Sequence, residues 1–77
     1  MKTKRARAEA AVRAMRNLAH DEQDRDAAGG LYFWAGVLQG YADNAGYLSA
    51  ERIDETIDLA LEKVDGFITA WYKELNA

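Results

Sequence analysis

The chain has 77 residues, of which 49% are hydrophobic, and its formal net charge at neutral pH is -3. This length predicts a single domain, 1–77, whose small core needs a disulfide, a metal or a partner chain for added stability. There is no cysteine and only one histidine, which excludes disulfides and thiolate metal sites and disfavours a zinc site. Association with another chain is the remaining source of added stability.

No segment has the length or the hydropathy of a membrane span. The longest strongly apolar run, 31–38, is far shorter than the roughly 20 residues that a spanning helix needs. The basic N-terminus is not followed by the apolar region of a signal peptide. We therefore expect a cytoplasmic protein that does not act at a membrane.

Charge and large apolar side chains are both distributed unevenly along the chain. Residues 1–19 carry six basic groups and one acidic group, net +5, whereas residues 20–77 carry four basic and twelve acidic groups, net -8. After Met1 only three large apolar side chains precede residue 31, and nineteen follow between 31 and 75. This pattern predicts that 31–77 builds the core and that 1–28 is a peripheral helix and linker.

The first predicted helix covers about residues 3–19 or longer. Its apolar stripe consists mostly of alanine, so the helix is basic and only weakly amphipathic. The sequence leaves open whether the helix continues through 20–28, a segment that is mostly charged. Gly29–Gly30 is the predicted break before the next helix.

The second and third predicted helices, about 31–44 and 50–75, form an antiparallel hairpin. Gly46 suits the left-handed position after the second helix, and Ser49 suits the N-cap of the third. The second helix is apolar over an arc too wide for one neighbour to cover. We therefore expect an all-α fold of three helices, completed as a dimeric helical bundle. Alternatively, a different protein covers the apolar arc of the second helix.

Few residues are candidates for catalysis or metal binding. His20 and Asp24 share a helical face, but the acidic stretch around them lacks the ligand spacing of a calcium loop. Ser49 is already explained as an N-cap, and the carboxylates of the third helix lie on its solvent side. We predict that the protein is not an enzyme and holds no cofactor.

The leading hypothesis is a non-catalytic protein–protein interaction module that binds a partner protein and forms a homodimer. Its size and composition are typical of small accessory proteins of phages and mobile elements. One such form is an inhibitor whose acidic face covers a basic site on its target. The residues predicted to contact the partner are Tyr32, Glu55, Asp58, Glu62 and Tyr72. The residues predicted to form the dimer interface are Phe33, Trp34, Val37 and Tyr41.

The alternative hypothesis is a regulatory protein that binds nucleic acid through its first helix. The candidate contacts are Lys4, Arg5, Arg7, Arg13 and Arg16. These side chains do not form one tight stripe, and no aromatic residues lie between them to stack on bases. Packing of the basic segment against the acidic part of the same fold or dimer is the simpler interpretation of the charge pattern.

Overall fold

The computed structural model describes residues 3–77, so the first two residues of the predicted domain lie outside it. The described residues form four α-helices and no strand. The helices are α1 (Lys4–Asp21), α2 (Arg25–Asp43), α3 (Ala50–Lys63) and α4 (Phe67–Leu75), and a short 3-10 turn (Ala45–Tyr47) precedes α3. The all-α prediction is confirmed, whereas the described residues form four helices where three were predicted.

Side-chain caps fix the starts of the first three helices. Thr3, Asp24 and Ser49 each accept a hydrogen bond from a backbone amide in the first turn of α1, α2 and α3. The prediction of Ser49 as a cap is confirmed. Because a capped start satisfies amides that would otherwise lack a partner, these three residues position the helices along the chain.

Helix α2 begins before the predicted break rather than after it. The Asp24 carboxylate accepts hydrogen bonds from the amides of Asp26 and Ala27, at 2.9 and 3.3 Å. This cap starts the helix at Arg25, so Gly29–Gly30 lies inside α2 and does not end a helix. The predicted break is wrong because the cap and the packing of the helix outweigh the low helix propensity of glycine.

The third predicted helix is two helices joined by a turn. Helix α3 ends at Lys63, Gly66 adopts φ = 82°, and α4 begins at Phe67. Glycine adopts this left-handed conformation without the steric penalty that a Cβ brings. Among the described residues only Gly66 has a positive φ, so the left-handed conformation predicted for Gly46 is also wrong.

Helix α1 lies at the centre of the fold and not at its edge. It makes the most extensive contacts with α2, then with α4, and smaller contacts with α3. Its buried residues are Ala8, Ala10, Ala11, Val12, Ala14, Met15 and Ala19. The prediction of a peripheral first helix is wrong because small side chains let neighbouring backbones approach closely, so the alanines are enclosed on several sides.

The predicted hairpin is not the core, since α2 makes few contacts with α3 and packs mainly on α1. Every helix supplies at least one fully buried large side chain to the core. These side chains are Met15 from α1, Leu38 from α2, Ile53 and Ile57 from α3, and Phe67 from α4. The core is therefore shared among four helices, which leaves part of α2 facing outward.

Candidate protein-interaction surfaces

The basic side chains of α1 mostly bind within the chain. Lys4 Nζ donates a hydrogen bond to the carbonyl oxygen of Leu48 at 2.6 Å, next to the start of α3. Arg7 Nη1 lies 2.9 Å from an Asp54 carboxylate oxygen, and both side chains of this pair are about one-third exposed. These contacts tie the N-terminal half of α1 to the acidic helix α3.

The remaining basic residues of α1 follow the same pattern, with one exception. Arg5 pairs with Glu9 one turn along the helix at 2.9 Å, and Arg13 pairs with Glu74 of α4 at 3.2 Å. Arg16 is exposed and forms no ion pair within residues 3–77. Four of the five side chains predicted to contact nucleic acid thus have partners in the fold, which reduces the support for that hypothesis.

One side of α2 presents aromatic and apolar side chains to solvent. Phe33 is 64% exposed and contacts the Trp34 ring edge-on, with ring centroids 5.6 Å apart. Val37, Trp34 and Tyr41 are half-buried, the last two packed against the edge of the core. The four residues predicted to form a dimer interface therefore lie on neighbouring positions of one helix and remain partly accessible.

Four glycines, at positions 29, 30, 36 and 40, accompany these side chains on α2. A Cβ built on any of them meets no atom within 4 Å, so no contact among residues 3–77 requires a glycine there. Each glycine lowers helix stability by about 1 kcal/mol relative to alanine. Gly29, Gly36 and Gly40 fall on the same side as Phe33 and Val37 at helical spacing, and these five residues are called the glycine face below.

An open groove runs between the glycine face and the start of α3. Its volume is about 480 Å³, and its lining includes Gly36, Gly40, Tyr41 and Arg52. The pKa of the Tyr41 phenol lies below its ordinary value, mainly because of the Thr56 hydroxyl. The Arg52 guanidinium also lowers this pKa, whereas burial of the phenol raises it. The groove thus has an uncharged wall on α2 and a cation at its α3 end.

The flank of α3 that faces α2 extends this accessible surface. Arg52 lines the groove, and Lys63 lines a second cleft together with Trp34 and Asp26. Leu59, which is 42% exposed, lies seven residues after Arg52 and four before Lys63 and so falls on the same flank. The outer surface of α2 and α3 is therefore apolar in its middle and charged at its ends.

The residues predicted to contact a partner protein are exposed but lie in three places. Glu55, Asp58 and Glu62 share the solvent side of α3. Tyr32 is 51% exposed on α2, and Tyr72 is 55% exposed on α4. Because α2 and α4 pack mainly on α1, the structure does not gather the two tyrosines and the acidic residues into one site.

Sequence reasoning missed two exposed residues. Tyr47, in the 3-10 turn before α3, is 92% exposed, and Ile68 on α4 is 52% exposed. Ile68 fits the apolar stripe of one continuous third helix, but the turn at Gly66 gives α4 a new orientation and turns this side chain outward. The Asp65-Gly66 pair was the signal for that turn, since glycine commonly follows the end of a helix.

His20 and Asp24, the candidate ligands in the sequence, lie at the ends of two different helices and do not share a helical face. His20 lies in the last turn of α1, and Asp24 uses its carboxylate to cap α2. No group of three potential metal ligands is present in residues 3–77. The groove between α1 and α4, about 270 Å³ in volume, is lined by Asn17, Asp21, Lys73 and Glu74 and by no serine, threonine or histidine.

Comparison with known proteins finds no family model, no curated protein and no solved structure that matches this chain. Within residues 3–77 no helix combines the length and the apolar character needed to cross a membrane. Function is therefore inferred from the surfaces of the chain itself.

Proposed function

We propose that this chain is a non-catalytic helical protein–protein interaction module that acts by binding another protein. The observation that carries the proposal is that the fold leaves two separate surfaces exposed, the uncharged side of α2 around Phe33 and the acidic side of α3. Exposed apolar surface that is continuous and bordered by polar residues marks interaction sites in soluble proteins. Aromatic side chains are also enriched among the residues that dominate binding energy.

The partner surface that we propose is the acidic side of α3. Glu55, Asp58 and Glu62 are exposed and form no ion pair within residues 3–77. Such a row of carboxylates favours a basic partner surface and speeds encounter with it. Tyr32 and Tyr72 are also exposed, but they lie on α2 and α4 away from this row, so we propose them only as separate, secondary contacts. An inhibitor encoded by a phage or mobile element, which covers a basic site on its target, is the form that we favour.

We also propose that the chain is a homodimer in the cytoplasm. The open side of α2 supports self-association, because a second chain would cover side chains that the fold leaves accessible. The absence of cysteine agrees with a reducing compartment. Nucleic-acid binding by α1 has less support, since only Arg16 of its five candidate residues lacks an ion pair or hydrogen bond in the described chain.

The test of the acidic surface is a charge reversal with a matched control. The first variant reverses three charges on the acidic surface: Glu55→Lys, Asp58→Lys and Glu62→Lys. The control variant changes the net charge by the same amount at three other exposed positions: Asp21→Lys, Asp43→Lys and Asp65→Lys. Proteins captured by the wild type are purified, and their affinities for all three chains are measured by titration calorimetry. We expect loss of binding only in the first variant. Equal binding by both variants would refute the acidic surface.

A further inference from the structure

The outer side of α2 has a shape that no contact in the described part of the chain explains. The four glycines leave open space around the helix, and Phe33 projects from the same side. From Leu31 to Ala42 the helix carries no acidic or basic side chain, although 30% of all residues are charged. An uncharged surface with a projecting ring and an adjacent groove is more favourable when it is buried against another uncharged helix than when it is exposed to water.

The projection and the groove lie at different heights along the same helix. Phe33 is one turn before Gly36 and Val37, and Gly40 is one turn after them. Because seven residues make almost two full turns, Phe33 and Gly40 lie nearly in line along α2. An antiparallel second copy of α2, related by a two-fold axis between Gly36 and Val37, would place each Phe33 over Gly40 of the other copy. The surface is therefore complementary to itself, as a two-fold interface requires.

The charges at the two ends of this surface favour the same arrangement. Asp26 lies in line with Phe33, seven residues before it, at the N-terminal end of α2. Arg52 lines the groove at the opposite end. Antiparallel pairing brings Asp26 of each copy towards Arg52 of the other. It also brings Lys63, which lines the same cleft as Asp26, towards Arg52, but parallel pairing would bring each of these three side chains towards its own equivalent.

We infer that a second copy of this chain covers the glycine face, in an antiparallel two-fold pairing that inserts each Phe33 ring into the groove of the other copy. This inference rests on the proposed homodimer and specifies its geometry. It is argued without the acidic residues of α3, so its failure would leave the proposed acidic surface untouched. Leu59 on the flank of α3 adds to the edge of the contact.

Sedimentation velocity over a concentration series tests the pairing with two variants and one control. Phe33→Ala removes the ring, and Gly40→Leu fills the space that receives it. Tyr32→Ala removes a ring that is also more than half exposed from the adjacent position, about 100° around the helix. We expect the first two variants to raise the dimer dissociation constant by about tenfold or more, and the control to leave it unchanged.

A Cβ at position 40 meets no atom within 4 Å and the position lines an open groove, so we expect Gly40→Leu to keep a folded monomer, which circular dichroism and urea unfolding will verify. A charge exchange tests the orientation. Asp26→Arg and Arg52→Asp should each weaken the dimer, and the double variant should restore it. A wild type that stays monomeric at every concentration would overturn both the homodimer and the pairing. A dimer that Tyr32→Ala disrupts and Phe33→Ala does not would overturn the pairing alone.

Discussion

Helices α1 and α2 are nearly equal in length but differ in what they bury. Helix α1 has 18 residues, three of them large and apolar, and seven of its residues are buried. Helix α2 has 19 residues, seven of them large and apolar, but only four of its 19 residues are buried. The alanines of α1 allow α2 and α4 to approach it closely, whereas the rings of α2 extend past the core. Burial in this fold thus follows contact with several neighbours and not side-chain size.

The largest expected contrast between the two helices comes from one truncation in each. Met15 of α1 is fully buried, so Met15→Ala should reduce the free energy of unfolding by about 2–5 kcal/mol. Phe33→Ala in α2 should change it by no more than about 0.5 kcal/mol at concentrations where the chain is monomeric, because the ring is mostly exposed. Urea unfolding measures both. Equal losses would contradict the central position of α1.

Enlarging an alanine tests the close packing of α1. Ala11 is completely buried, so Ala11→Leu should destabilise the fold by about 1–3 kcal/mol through overpacking. Ala27→Leu, at an exposed position in the first turn of α2, is the matched control and should be nearly neutral. Thermal unfolding of both variants gives the comparison. An Ala11→Leu chain as stable as its control would show that α1 has room at its centre.

The glycines of α2 and the glycine between α3 and α4 should respond to alanine in opposite directions. Gly36→Ala should stabilise the monomer by up to about 1 kcal/mol, because the new methyl group meets no atom and favours the helix. Gly66→Ala should destabilise it by about 1–2 kcal/mol, because φ = 82° is unfavourable for residues with a Cβ. Urea unfolding at low concentration measures both changes. A loss at Gly36 would mean that the added methyl group meets an atom within the monomer, and it would contradict the open space beside α2.

The smallest expected effect concerns the border between α2 and α3. The pKa of Tyr41 in the folded chain lies below its unfolded value of about 10. Ionised Tyr41 therefore contributes stability that is fully present above the unfolded pKa and is lost as the pH falls through the folded pKa. The difference in tyrosinate absorbance between wild type and Tyr41→Phe isolates this titration.

Thr56→Val should move the Tyr41 titration to higher pH, because the variant removes the main group that lowers its pKa. In the neutral protein the Thr56 hydroxyl donates to the Arg52 carbonyl at 3.0 Å, so it must turn to reach a tyrosinate. An unchanged titration in Thr56→Val would assign the shift to Arg52 instead.

The sequence predicted the helical class because helix formers and apolar periodicity act locally. Ser49 was identified as an N-cap for the same reason, since a capping side chain reaches only its own first turn. The roles of the glycines were predicted incorrectly. Gly29–Gly30 was predicted to break a helix but lies within one, and Gly66 was predicted to lie within a helix but forms a turn. Their roles depend on the cap at Asp24 and on the packing of α4, which local propensity does not contain.

The candidate surfaces were predicted in part. The exposure of Tyr32 and Tyr72 was expected from their positions at the edges of apolar stripes, and the structure confirms it. The order of packing could not be read from the sequence, because an alanine-rich stripe carries a weak apolar signal although it can be completely enclosed. That misjudgement placed α2 in the core and α1 outside it. The prediction that Phe33, Trp34, Val37 and Tyr41 form a dimer interface remains a prediction.

The claim that α2 is left open for a second copy is tested most directly by light scattering. The masses of the wild type and of Gly40→Leu are measured across the same concentration series. The account predicts a wild-type mass that rises towards twice the 8.6 kDa of the chain, while the variant remains at the mass of one chain. A wild type that stays at the mass of one chain, or a variant that dimerises equally well, would contradict it.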